Sequence, residues 1–296
     1  MFSQIFGRFL VGNNLISEEK LEKALEFQKK ARVKLGLIAV AEKLLSEEQA
    51  NIINRRQAQE DRKFGDIAVE LGYLTENQVE RLLKLQGNPY LVFVQSMTET
   101  GIMTLEEIEK AMDLYRKETG FTLTDMEDLK SGDADRIVPL FVKSDNVRTQ
   151  ELSGVAIRTI IRLIDSQIAI GRSEETDNYE FEDIAIQDVK GEHNITLGLS
   201  GEENSLLTVA STFAKEEFAD MDLYAFDSVC EFINCVNGLY ASALSLEGIQ
   251  VDMVPPMYYQ KGIIKTKEKA LVIPVYIKNR KVEIFVATDT DLTFSA

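Results

Sequence analysis

Tryptophan is missing from this 296-residue sequence, histidine occurs once, cysteine twice and proline five times. The single histidine, His193, excludes metal sites built on a histidine pair, and no Cys–His nucleophile set or Walker loop is present. Cys230 and Cys235 would share a helix at an i, i+5 spacing, which points the two thiols in different directions and makes a bridge poor geometry. Lone thiols, together with a start that lacks a cationic stretch, an apolar stretch and a cleavage site, fit a reducing cytoplasm. No run of eighteen apolar residues occurs, so no membrane span is expected.

What is present is the composition of an ordinary folded chain, with 45% hydrophobic and 28% charged residues. The length suffices for two domains with separate cores. The net charge of −16 is uneven: residues 1–118 hold 17 basic and 19 acidic side chains, so nearly all of the excess lies beyond them. An acidic C-terminal half repels phosphate backbones and anionic lipid, which argues against nucleic acid or membrane surfaces as its partners. Keeping the protein soluble explains most of that charge.

The first third repeats itself at a period of 29 residues. An apolar–glycine pair recurs as Phe6-Gly7, Leu35-Gly36 and Phe64-Gly65, and a hydroxyl residue followed by acids recurs at Ser17, Ser46 and Thr75. Gln28, Gln57 and Gln86 close the units, and a fourth, eroded copy keeps Phe93, Thr104, Glu106 and Glu107. Each unit reads as a short helix, a tight turn and a capped second helix, with Gly72 at the turn and Thr75 as a cap in the third unit. One hairpin cannot bury its face alone, so stacked neighbours supply the core. The expectation is an all-α helical-hairpin array.

These residues resemble the MshEN-type domain at the N-termini of type II secretion and pilus ATPases, whose unit runs Arg-Leu-Gly to a closing Gln and is used twice. Residues 63–86 carry the pattern in Lys63, Phe64, Gly65, Gly72 and Gln86, and residues 34–57 carry it in Lys34, Leu35, Gly36 and Gln57. The five-residue spacer 58–62 also matches. The resemblance implies a site for cyclic di-GMP. Both unit-opening arginines are lysine here, and lysine lacks the flat, forked guanidinium suited to guanine or phosphate. In the plainer reading the glycines serve hairpin packing and the glutamines bond to backbone.

Beyond residue 120 the pattern changes. Domain boundaries are expected at 1–119 for the helical repeats, 120–147 for a packed connector in which Thr124 caps a short helix, and 148–296 for a second domain. A helix at 152–164, strands at 181–189, 192–199, 205–210, 248–254, 270–277 and 281–287, and a helical block at 211–247 predict an α+β sandwich. Lys278-Asn279-Arg280 reads as a hairpin connection. In a helix over 222–247, Phe226, Val229, Ile233, Val236, Leu239, Tyr240 and Ala243 form an apolar stripe. Asp227, Glu231, Asn234, Gly238 and Ser242 fall on another face, and Glu231 and Asn234 project together as i, i+3 neighbours. Gly238 in a helix interior suggests close approach of another backbone, a partner's among them.

Asp227-x3-Glu231-x2-Asn234, followed about twenty residues later by Pro255-Pro256, resembles the signature of the CheC/CheX/FliY chemotaxis phosphatases, with a single copy as in CheX. The resemblance implies a CheX-like α/β sandwich domain that removes phosphate from the phospho-aspartate of a CheY-like receiver. It implies that Asn234 orients the attacking water, that Glu231 pairs with the receiver's lysine, and that Asp227 and Gly238 belong to the docking face. No cofactor of its own is expected; Mg²⁺ would belong to the receiver. Homodimerisation through the sheets is implied by the resemblance alone. The alternative is an interaction module that docks on a receiver or dimerises without turnover, beside an N-terminal domain binding cyclic di-GMP or a partner.

Overall fold

Hydroxyl side chains set the phase of the first part of the chain. The structure, a computed structural model, describes residues 1–29, 33–60 and 62–295. Contacts divide the chain into two units, Phe2–Asp133 and Ala134–Ala296. In the first unit, helices α2 (Glu18–Gln28), α4 (Glu47–Glu60), α6 (Glu76–Lys84) and α8 (Leu105–Thr119) begin at the same phase of each repeat. Ser17, Thr75 and Thr104 cap their helices by accepting from backbone N–H groups, and Ser46 accepts from Gln49 N at 3.1 Å. The recurring hydroxyl residues are thus N-caps that satisfy otherwise orphaned donors.

The first helices of the units are α1 (Phe2–Gly12), α3 (Leu35–Ala41), α5 (Phe64–Glu70) and α7 (Pro89–Glu99). Their apolar residues meet those of the second helices, and Ile38, Ile53, Ile67 and Leu82 are fully buried in one cluster. Gly72 ends α5 with φ +70°, as its position in the turn requires. Asp61, within the spacer between the two units, lies outside the described residues. Helix α9 (Leu123–Ser131) follows within this unit, capped by Thr122 with Asp125 in a capping box rather than by Thr124.

The second unit opens with α10 (Ala134–Phe141) and α11 (Val147–Leu163), so the stretch expected as a connector is largely helical. Phe141 is buried, and its carbonyl accepts from Ser173 N at 2.9 Å. The sheet comprises β1 (Ala169–Ile170), β2 (Glu174–Gly191), β3 (Ile195–Gly201), β4 (Val251–Met253), β5 (Met257–Ile277), β6 (Arg280–Thr288) and β7 (Leu292–Ser295). All the recorded pairings are antiparallel. Because β5 pairs β2 over Met257–Lys265 and again over Ala270–Val272, and pairs β6 over Leu271–Ile277, the order β5–β6–β3–β2 returns to β5. One face of this circuit gathers Tyr179, Ile184, Ile186, Ile264 and Phe285. The other is covered by α11, α12 (Glu203–Ala214) and α13 (Leu223–Leu246).

The α+β class stands as expected, with three revisions of detail. Residues 205–210 lie inside α12, where Leu206, Val209 and Ala210 are buried at helical spacing; a short apolar run does not distinguish strand from helix. Strand β5 begins at Met257, well before 270, since its lysine-rich first half is held by ladder bonds to β2 and not by apolar burial. In α13 the buried positions include Ala225, Val229, Phe232, Ile233, Val236, Tyr240 and Leu244, whereas Leu239 and Ala243 of the expected stripe are exposed. Helix α13 is long (24 residues) and apolar (mean hydropathy 1.2), the length and composition that a membrane-crossing helix shares with the core helix of a folded domain. Its packing on β2 and β3 and its polar residues Asp227, Glu231, Asn234 and Asn237 mark it as the core helix of a sheet domain.

Candidate functional site

Helix α13 is fixed at both ends and along its buried face. Asp222 caps its start by accepting from Ala225 N at 2.9 Å. Arg148 of α11 joins Glu151 at 2.9 Å and Glu247, the residue closing α13, at 2.8 Å. The Tyr240 hydroxyl donates to Glu151 at 3.2 Å. These contacts set the rotation of the helix and therefore which residues face outward.

Glu231 is exposed and Asn234 half-buried beside it, with the Asn234 Nδ2 donating to Glu231 Oε2 at 3.3 Å. The i, i+3 pairing expected from spacing is present. Asp227 is exposed one turn earlier on the same face. Among the described residues, neither Asp227 nor Glu231 has an ion-pair partner within the chain. Gly238 lies one turn further on, and a Cβ placed there would meet nothing within 4 Å. None of the described residues makes the close approach that its glycine permits.

A cavity of about 760 Å³ opens next to these carboxylates, lined among others by Phe226, Asp227, Glu231, Pro256 and Tyr258. Phe226 and Tyr258 stack with ring centroids 4.0 Å apart, forming one wall. Leu223 and Tyr224, at the start of α13, are 70% and 73% exposed. The arrangement is an open acidic cleft with an apolar rim. Burial pushes the Cys230 thiol up to about 11, with the charge of Asp227 adding to the shift. That thiol is protonated near neutrality and is no nucleophile.

Two residues that sequence reasoning missed complete the site. Gln187 of β2 is 2% exposed, and its Nε2 donates to Asn234 Oδ1 at 2.9 Å and to the Val254 carbonyl at 2.8 Å. Asn237, fully buried, donates from Nδ2 to Gln187 Oε1 at 2.9 Å. The one available signal was a carboxamide among Ala185 and Val189 on the alternate positions of a strand, where an apolar residue is the norm. Nothing in the sequence links it to a helix some fifty residues away.

The residues singled out in the helical array are engaged in its packing. A Cβ on Gly36 would lie 2.9 Å from the Phe64 ring, and one on Gly65 would lie 2.6 Å from Val79. Gln86 donates to the Val33 carbonyl at 3.0 Å. Lys34 pairs with Glu99 at 2.8 Å, and Lys63 stands exposed at the start of α5. Leu35 packs at the edge of the buried cluster, and Gln57 is half-buried on α4. Within the array, the repeats 34–57 and 63–86 are brought together by Gly36 against Phe64, and Gln86 reaches back to Val33.

An exposed acid–amide pair stands on a sheet-packed helix beside an open cleft, an arrangement whose chemistry suits holding a water or a charged group. Residues 184–280 match the family model described as chemotaxis phosphatase CheX. That span is a third of the chain, and it holds Gln187, the whole of α13 and Pro255-Pro256. Among solved structures, a CheC-like superfamily protein from Shewanella sp. PV-4 is 17% identical, with 49% of this chain and 99% of that chain covered and a TM-score of 0.43. A chemotaxis protein CheX from Desulfovibrio desulfuricans is 15% identical, covering 48% of this chain and 99% of that chain, with a TM-score of 0.43. A CheX–CheY–BeF3–Mg²⁺ complex from Borrelia burgdorferi is 18% identical, covering 49% of this chain and 99% of that chain, with a TM-score of 0.39. No curated protein matches the chain.

Proposed function

We propose that the sheet domain hydrolyses the phospho-aspartate of a CheY-like receiver. The observation that carries this reading is the outward-facing Glu231–Asn234 pair inside the segment that matches the CheX family. Water attacks phosphorus in line, the bond between phosphorus and the aspartyl oxygen breaks, and the electron pair leaves with the receiver's carboxylate. Inorganic phosphate and the proton of the water are released. Asn234 holds the water by its carboxamide, which orients without acting as a base. Glu231, exposed and without an ion-pair partner among the described residues, takes up a cation on the receiver. Positioning and electrostatics are the main needs of such a transfer, and the Mg²⁺ expected there belongs to the receiver.

Asp227 and Gly238 extend the docking face. The exposed Leu223 and Tyr224 give it the apolar contact that protein partners use. The test is phosphate release from a phosphorylated receiver. Asn234→Ala is expected to lower the rate about a hundredfold, the scale of losing one aligned donor. Equal decay with wild type, variant and no added protein rejects the enzyme reading and leaves docking without turnover. For the array, the MshEN resemblance proposes cyclic di-GMP as a ligand and a regulatory input, while Gly36 and Gly65 support a packing role. Calorimetric titration with the dinucleotide separates the two, and absence of heat leaves packing alone.

A further inference from the structure

We infer that Gln187 is a positioning residue that decides which end of the Asn234 carboxamide is turned outward to Glu231, an inference that rests on the phosphatase reading for its catalytic consequence. A carboxamide looks the same both ways round, so its direction must be fixed by neighbours of known polarity. Here the fixed point is a backbone carbonyl. The Val254 oxygen can only accept, so the Gln187 atom 2.8 Å away must be Nε2. The same Nε2 lies 2.9 Å from Asn234, which commits its second hydrogen and requires Oδ1 of Asn234 on that side. Nδ2 is thereby turned to Glu231 Oε2, 3.3 Å away on the exposed face. Gln187 Oε1 completes the chain by accepting from Asn237 at 2.9 Å.

The fixed point is itself restrained. Val254 N donates to the Asp188 carbonyl at 2.9 Å. The following Pro255 holds Val254 to extended backbone, because the proline ring crowds a helical residue before it. Strand β2 changes partner here, from β5 at Ile186 to β4 at Val189, which leaves Gln187 facing the Val254-Pro255-Pro256 crossing. Burial of Gln187 strengthens these bonds and makes an unpaired alternative for its own amide costly. Direction therefore passes from a backbone carbonyl through Gln187 to Asn234. The outward end of Asn234 is an N–H donor, able to hold the oxygen of the attacking water while the carbonyl end stays anchored in the domain.

The unmodified protein gives the first test. Hydrogen exchange by NMR should find both side-chain amide protons of Gln187 slower than those of the exposed Gln59; exchange of either at the Gln59 rate overturns the inference. The second test compares wild type with Gln187→Met, which keeps length and removes both donors. The Asn234 side-chain amide signals should shift, and kcat for phosphate release should fall about tenfold while the KM for the phosphorylated receiver stays within about twofold. Unmoved Asn234 signals, or a changed KM with kcat intact, overturn it. Loss of function in Gln187→Met beside full activity of Asn234→Ala would reject the phosphatase reading of Asn234, and the exchange and signal-shift results would still decide the anchoring itself.

Discussion

Glycines and carboxamides do opposite things in the two units. In the helical array a side chain on Gly7, Gly36 or Gly65 would fall within 3 Å of Leu21, Phe64 or Val79, so each glycine is consumed by a helix crossing. A side chain on Gly238 of the sheet domain would meet nothing within 4 Å among the described residues. The array's Gln86 spends its amide on the Val33 carbonyl, and Gln28 spends its own on Ser3 at 2.9 Å. Asn234 is anchored at one end and turned outward at the other. The array uses special residues to close itself; the sheet domain keeps one helix face unfinished. A residue that is held firmly yet left with spare bonding capacity is what a site for an incoming group needs.

That contrast can be broken. The largest effect is expected from Gly65→Ala, where the new methyl drives into Val79 and should cost about 2 kcal/mol by overpacking, read as a lowered midpoint in chemical denaturation. An unchanged midpoint would remove the packing account of the repeat glycines. Gly238→Ala should do the reverse, raising stability by about 1 kcal/mol because alanine favours a helix interior and has room. If a receiver's backbone uses that space, the same variant binds the receiver more weakly while melting higher; tighter or equal binding leaves Gly238 out of the docking face.

The smallest effect concerns pH. Burial pushes the Asp183 carboxyl of β2 above its ordinary value of 3.8, and the charge of Glu203 adds to the shift, while the polar groups of Tyr258 and Gln260 act against it. The folded state therefore holds this proton more tightly than the unfolded chain. Stability from this group is full below its unfolded value and is lost as pH rises through the raised folded value. Asp183→Asn should flatten that part of the pH–stability curve and melt slightly higher at neutral pH. A steeper curve would show the carboxylate to be favoured by its surroundings.

Much of this was legible in order along the chain. Period and hydroxyl position gave the second helices of the array because capping and helical packing are local, acting over three or four residues. Glu231 and Asn234 were legible as a pair for the same reason: helical geometry puts i and i+3 on one face. The strand at 257–269 was not, because ladder bonds to β2 hold a stretch whose lysines carry no apolar alternation. Residues 205–210 were misread because four apolar positions suit a strand as well as a helix until a sheet is present to pack against.

The sequence by itself determined the acid–amide pair, its face of the helix and the glycine one turn beyond, since each depends only on the 3.6-residue turn. Only the tertiary structure decided which way the amide points. That choice rests on the Val254 carbonyl reached through Gln187 of a neighbouring strand, and hydrogen-bond polarity between distant segments leaves no periodic trace in a sequence.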